Sequence, residues 1–182
     1  MTSSPQTRAL RINMVELLRH PGSERTIEHE ISAEDLGCQF VPGQSEIAGN
    51  VVVGVTAVAA TDDVAVSGLV AIPWSGECRR CLKAISGVRN VDFDERFAPA
   101  RDRDRLSSVD GDLSLVEGDQ IDLVEPIRET VMIETPMSVL CSDDCKGICD
   151  VCGVDRNEAS CECVVVVRDE RWAALDDLQL DD

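Results

Sequence analysis

The chain has 182 residues and a mass of 19.8 kDa, room for one ordinary domain or one domain with a small appendage. Its 43% apolar and 29% charged residues suffice for an aliphatic core, but two Trp, three Phe and no Tyr all but exclude the two- or three-ring stacking platform of an RRM-like RNA reader. Seventeen Lys plus Arg against 35 Asp plus Glu give a net charge of −18, which argues against broad attraction to phosphate backbones, so any nucleic-acid role needs a local basic patch.

No run approaches the roughly 18 apolar residues of a spanning helix, and the opening MTSSPQTRALRI lacks the apolar stretch of a secretory signal. The expectation is a cytoplasmic protein with no membrane association. Nine Cys in such a compartment are expected as thiols, which puts metal binding or redox chemistry ahead of disulfides.

Residues 1–9 are polar and read as a flexible lead. Leu10, Ile12, Met14, Val15, Leu17 and Leu18 then fit a short strand-to-helix opening that stops at His20-Pro21-Gly22. Ser32, Glu34 and Asp35 suit one helical turn in an otherwise connective stretch. From Ser45 to Ala60 the density of β-branched residues predicts a long strand, with Val51, Val53 and Val55 on one face. Thr61-Asp62-Asp63 turns it back, and Val64, Val66, Gly68, Val70 and Ile72 alternate as the second strand of an antiparallel hairpin. Ile85, Val88, Val91, Phe93 and Phe97 suggest a third strand with a bulge near Gly87. Three such strands call for closure into a sheet or partial barrel.

Residues 99–118, of mixed charge and containing Gly, read as a mobile loop. Ile127, Val131 and the Met132-Ile133 step predict a helix over 124–134, with Pro126 in its first turn and Pro136 as its stop. Residues 137–163 carry too few aliphatic side chains for a core of their own. Over 164–182, Trp172, Leu175 and Leu178 fit a short docked helix with an acidic end. The organisation read from the sequence is therefore a flexible 1–9, a β-rich core over 10–136, a Cys-rich segment over 137–163 and a terminal helix. No repeat of fixed period is present.

Eight of the nine Cys form close pairs: Cys78 and Cys81, Cys141 and Cys145, Cys149 and Cys152, Cys161 and Cys163. Cys38 stands alone. A two-residue spacing lets both thiolates of a tight turn face one ion, and Gly153 after Cys152 supplies the permissive backbone of a zinc knuckle. Eight thiols match two tetrahedral zinc sites, although one site with spare thiols fits the spacing as well. The favoured partition groups Cys149, Cys152, Cys161 and Cys163, because closing so short a loop costs little entropy, and leaves Cys78, Cys81, Cys141 and Cys145 as a second site that would clip the tail to the sheet. Redox exchange at Cys78-Arg79-Arg80-Cys81 is the rival chemistry, but the βαβ context of a thioredoxin-like motif is missing. All-thiolate tetrahedral sites are closed, His20 and His29 lie far along the chain from every Cys pair and read as surface or loop residues, and no GxSxG, Walker or GxGxxG motif occurs. The reading is a non-enzyme with no small-molecule substrate.

Eight of the 17 basic residues fall between Arg79 and Arg105, against five acids. Arg79, Arg80, Lys83 and Arg89 surround the first Cys pair and are the candidate phosphate contacts. The competing reading is that they only offset neighbouring carboxylates.

The Cys-x2-Cys-Leu at 78–82, the Phe-x-Glu-x-Phe at 93–97, the Ile-Asp-Leu at 121–123 and the block CSDDCKGICDVCGVDRNEASCEC at 141–163 together resemble the YceD family, the large ribosomal RNA subunit accumulation proteins, in their Cys-rich Gram-positive and actinobacterial form. The resemblance spans roughly residues 10–175. Asp150 stands where the family block often has Pro, and Asp155-Arg156 where Asn and Leu are common before the Asn matching Asn157. These departures lie inside the knuckle and not at its Cys positions.

The resemblance implies a ribosome biogenesis factor supporting accumulation of 23S ribosomal RNA, partnered by that RNA or by a basic large-subunit ribosomal protein. Two four-thiolate zinc sites would shift the net charge by about −4, which makes a basic protein partner more attractive. An acidic chaperone for one ribosomal protein and a thiol-based redox sensor are the alternatives. The expected fold is α+β, an antiparallel, barrel-like sheet with flanking helices and a zinc-stapled C-terminal segment.

Overall fold

A computed structural model describes residues 5–40, 44–102, 113–164 and 171. The chain forms two compact units, one of residues 1–77 with 84–139, the other of 78–83 with 140–182. The first unit runs α1 (Pro5–Ala9), β1 (Arg11–Asn13), α2 (Met14–Leu18), β2 (Glu24–Ser32), β3 (Glu46–Ile47), β4 (Asn50–Ala59), β5 (Val64–Glu77), β6 (Ala84–Pro99), a 3-10 turn at Ala100–Asp102, β7 (Leu113–Val116), β8 (Gln120–Asp122) and α3 (Val124–Glu134).

The main sheet has the order β2-β4-β5-β6-β7, with β3 added on β5. Its pairs are antiparallel except β6 with β7, which is parallel. The sheet is open, contrary to the barrel-like closure read from the sequence: β2 and the four-residue β7 end the order on opposite sides and do not pair among the described residues. Alternation in β4 and β5 puts Val51, Val53, Val55, Val64, Val66, Val70 and Ile72 on the inner face, where each is buried. Leu10, Ile12, Met14, Leu17, Ile121, Leu123, Ile127 and Val131 join them in one core. Segments far apart in sequence thus meet: β1 pairs β8 with Ile12 opposite Ile121, and Arg11 bridges Asp122 at 2.9 Å.

The helix boundaries follow local chemistry. Asn13 caps α2 by accepting the Glu16 N–H at 3.0 Å, and Asp122 accepts the Val124 N–H at 3.1 Å at the start of α3. Thr135 is extended at ψ 122° before Pro136, as the residue ahead of a proline prefers. Of the apolar positions read onto α3, Ile127 and Val131 are buried, while Ile133 is 78% exposed and Met132 is also exposed.

Three strand features differ from the sequence reading. First, β2 occupies residues for which no element is read from the sequence, while the turn read at Ser32–Asp35 follows it; its inner face holds Ile27, His29 and Ile31, so a polar residue interrupts the apolar alternation. His29 is therefore a strand residue with a buried Nε2, not a surface or loop residue, whereas His20 is exposed in a turn. Second, the 45–60 strand is split at Ala48-Gly49 into β3 and β4. Third, Gly87 is no bulge. It pairs with Trp74 in an unbroken β5–β6 register running from Val64↔Phe97 to Glu77↔Ala84, and a Cβ there would stand 3.1 Å from the Trp74 ring, so the glycine makes room for an indole on the neighbouring strand.

Asp63, buried in the β4–β5 turn, accepts the Arg96 Nε–H at 2.9 Å, which satisfies its charge. Within the expected 99–118 loop, Leu113–Val116 forms β7; residues 103–112 lie outside the described residues, as does the helix read at Trp172, Leu175 and Leu178. Pro5–Ala9 is helical where a loose lead is predicted.

A Cβ on Gly68 would lie 2.1 Å from the Gly54 carbonyl oxygen, whereas one on Gly54 would meet nothing closer than 3.8 Å. Gly68→Ala is therefore expected to destabilise the sheet unit by about 2–3 kcal/mol, and Gly54→Ala by less than about 1 kcal/mol, as read by denaturant unfolding. Equal losses would show that strand propensity, and not the close approach of β4 and β5, sets the cost.

Candidate metal centre

The second unit is poor in apolar side chains. Its organisation rests on two groups of four cysteines, Cys78, Cys81, Cys141 and Cys145, and Cys149, Cys152, Cys161 and Cys163; in each group the sulfur atoms all lie within 4.8 Å of one another. All nine cysteines are free thiols. The structure therefore brings together the set that short-loop closure favours, and the four remaining paired cysteines as the other.

Two turns of the same construction present the CxxC pairs. In the first, the Cys78 N–H donates to the Lys83 carbonyl at 2.8 Å and the Leu82 N–H to the Cys78 carbonyl at 2.9 Å. In the second, the Cys149 N–H donates to the Val154 carbonyl at 2.9 Å and the Gly153 N–H to the Cys149 carbonyl at 2.8 Å. Both turns need a left-handed residue after the second Cys, and Gly153 supplies it at φ 73°. Leu82 holds the matching position at φ 61°, where a residue with a Cβ carries about 1–2 kcal/mol of strain.

The remaining ligand loops are laced to these turns. The Arg80 guanidinium donates to the carbonyls of Asp143 at 3.1 Å and Cys145 at 2.9 Å, and the Arg80 carbonyl accepts the Ile148 N–H at 3.0 Å. A Cβ on Gly147 would lie 2.9 Å from that carbonyl oxygen. Asn157 ties the two halves together: its Oδ1 accepts the Lys146 N–H at 2.8 Å and its Nδ2 donates to Cys145 Sγ at 3.4 Å.

The sulfur spacing suits a tetrahedral ion. Cys78 and Cys145 Sγ are 3.7 Å apart, and Cys81 and Cys141 Sγ 3.5 Å, close to the edge of about 3.8 Å of a tetrahedron whose centre lies about 2.3 Å from each sulfur. Electrostatics points the same way. Burial pushes the Cys78 thiol up, but backbone N–H groups of Cys81, Cys141 and Arg80 outweigh it and bring it down to about 6. Backbone N–H groups of Cys152 and Val151 bring Cys149 to about 6, with help from the Arg156 side chain, whose own pKa rises through its bond to the Cys149 thiolate. Neighbouring sulfurs then hold Cys141 up at about 12, and the Cys152 sulfur together with burial does the same for Cys163. Each group thus has sulfurs prepared for negative charge and others that cannot follow, because like charges this close repel. A divalent cation removes that conflict.

The four candidate phosphate contacts do not share one environment. Arg79 and Lys83 are exposed and make no ion pair among the described residues. Arg80 is committed to the carbonyls of the ligand loop. Arg89 lies on β6 in the other unit, paired with Glu134 at 2.8 Å. Cys38 packs against the core of that unit, and burial raises its thiol pKa.

A family model described as large ribosomal RNA subunit accumulation protein YceD matches residues 66–179, well over half of the chain. The chain belongs to the YceD family. Both cysteine groups fall inside the matched YceD region. Uncharacterized proteins of Mycobacterium bovis and Mycobacterium tuberculosis are 37% identical over 94 residues, which is 52% of this chain and 45% of each relative. An Arabidopsis thaliana protein named large ribosomal RNA subunit accumulation protein YCED homolog 1, chloroplastic, is 32% identical over 60 residues, 33% of this chain and 19% of that protein. The chain thus spans less than half the length of these curated relatives. No solved structure matches it.

For this YceD chain, the sulfur-contacting residues that the Cys spacing does not reveal are Asn157 and Arg156, which lie between the second knuckle and the closing CxC. Turn chemistry, an Asn following an Asp two residues earlier, is one local signal, and the family block that matches Asn157 is another. Asn157→Ala is expected to speed loss of a bound metal from the first cysteine group by about tenfold or more, measured as release to a colorimetric chelator, with the initial metal content unchanged. An unchanged release rate would reduce Asn157 to a turn residue.

Proposed function

We propose that the chain is a non-catalytic ribosome biogenesis factor that supports accumulation of large-subunit ribosomal RNA, with two structural zinc ions shaping the surface that contacts this RNA. The observation that carries the reading is the pair of four-thiol groups, each with its sulfurs within 4.8 Å of one another, inside the family-matched region. Thiolate-only tetrahedral sets favour zinc among the available divalent ions. Cys78, Cys81, Cys141 and Cys145 would hold one ion and Cys149, Cys152, Cys161 and Cys163 the other. When bound, zinc supplies charge neutralisation and cross-links that a segment with so little apolar material lacks. Four protein ligands leave no open coordination position, which supports a scaffold and not a catalyst.

The Arabidopsis and maize relatives carry large ribosomal RNA subunit accumulation in their names, and this supports the same process here. Among the candidate phosphate contacts, Arg79 and Lys83 are favoured, since Arg80 is held by carbonyls and Arg89 by a carboxylate. The proposed process places the chain in the cytoplasm, where bacterial ribosomes assemble; no helix of the described residues is long and apolar enough to cross a membrane.

A second reading, an acidic chaperone for a basic ribosomal protein, is favoured by the charge of −18 and by the exposed Glu24, Glu28, Glu30, Asp92 and Asp94 on the sheet. Capture of partners from growing cells with and without nuclease separates the two. RNA-dependent capture supports the first reading, and nuclease-resistant capture of one ribosomal protein the second.

Elemental analysis of protein purified without chelator is expected to give about two zinc per chain, falling to about one in either Cys145→Ser or Cys149→Ser. Absence of metal, with the thiols forming reversible disulfides, would replace this reading with that of a thiol-based redox sensor.

A further inference from the structure

The first cysteine turn carries a residue that its own backbone disfavours. Leu82 is the only residue other than glycine with a positive φ among the described residues. The second turn, with the same hydrogen bonds, meets the same demand with Gly153, so the geometry of the knuckle does not require a side chain at this place. Packing does not account for Leu82 either, because it is 58% exposed. A strained backbone position that displays an apolar side chain to solvent gains nothing for the fold.

The surroundings of Leu82 indicate its use. The turn 78–83 contains three cations and no acid in a chain of charge −18. Arg79 and Lys83 are exposed and unpaired among the described residues, while Arg80 ties the turn to the ligand loop. The turn therefore sets an exposed aliphatic side chain among cations, two of which make no ion pair among the described residues. Phosphates take the charges, and an aliphatic wedge takes the face of a base that is not stacked in a helix. With no Tyr and five other aromatic residues in the whole chain, an aliphatic base contact replaces the stacking platform that composition denies.

We propose that Leu82 is a contact residue for unpaired bases of RNA, seated against a base while Arg79 and Lys83 hold the adjoining phosphates. This rests on the RNA-binding reading given above and specifies single-stranded or looped RNA as its ligand.

The test uses the full chain with its metal bound, and fluorescence anisotropy with a labelled mixed-sequence single-stranded RNA of about 20 nucleotides and the same RNA annealed to its complement. Leu82→Gly removes the side chain and relieves the backbone. It is expected to weaken single-strand binding about five- to tenfold, with little change on the duplex, an unchanged dependence on salt, full metal content and a melting temperature equal to or above that of the parent. Leu82→Asn, which tolerates the left-handed backbone but is polar, is expected to weaken binding similarly. The double charge reversal Arg79→Glu with Lys83→Glu is expected to weaken binding to both RNAs and to flatten the salt dependence.

If both Leu82 variants bind like the parent while the charge reversal does not, the inference about Leu82 falls and the RNA-binding surface stands. If the parent does not bind RNA, or neither class of variant alters binding, the RNA reading of this turn fails and the inference fails with it. Loss of metal or of thermal stability in Leu82→Gly would make Leu82 a structural residue and likewise overturn the proposal.

Discussion

Four sulfur atoms within 4.8 Å of one another form the constraint on which the second unit depends. Such a group cannot ionise fully by itself, because each thiolate opposes the next. It is not arranged for neutrality either. Backbone N–H groups point at Cys78 and Cys149, an amide at Cys145, and a guanidinium at Cys149. These donors stabilise negative sulfur, so the loops favour a charge that a divalent ion would balance. Residues 140–164 have almost no buried aliphatic side chains and derive their order from this polar framework.

The sheet unit meets its own constraint by alternation. Val at 51, 53, 55, 64, 66 and 70 fills one face, and the β5–β6 register holds without interruption to Glu77↔Ala84. That register fixes where the chain leaves the sheet to form the first cysteine turn. Local devices protect it: the missing side chain at Gly68 lets β4 and β5 approach, and the one missing at Gly87 admits the Trp74 ring.

Charge is uneven along the chain in a way the total conceals, although both units are net negative, with 10 Lys plus Arg against 23 Asp plus Glu in the first and 7 against 12 in the second. The sheet carries outward carboxylates on β2 and β6, whereas the first cysteine turn concentrates cations. Of the four cations near it in sequence, two are already used, Arg80 by backbone carbonyls and Arg89 by Glu134. An exposed pair such as Arg89 with Glu134 contributes at most about 1 kcal/mol, yet it removes Arg89 from the set of free charges. Counting cations along the chain overstates the available positive surface.

The alternating valines, the helix between Val124 and Pro136 and the four Cys pairs are legible in the sequence, because each is set by interactions between residues close along the chain: side-chain alternation, ring geometry at proline and the reach of a CxxC turn. The strand β2 was hidden by His29 at an inward position, β7 by its four-residue length, and the role of Gly87 by the Trp on the neighbouring strand. Openness of the sheet could not be read at all, since closure depends on whether the first and last strands meet. For the cysteines, spacing supplied the eight candidate ligands and favoured one partition. Tertiary structure alone decided that Cys78 and Cys81 come within 4.8 Å of Cys141 and Cys145, that Asn157 bonds sulfur, and that Leu82 is held left-handed in the open, because these follow from where distant backbone segments come together and not from any local preference.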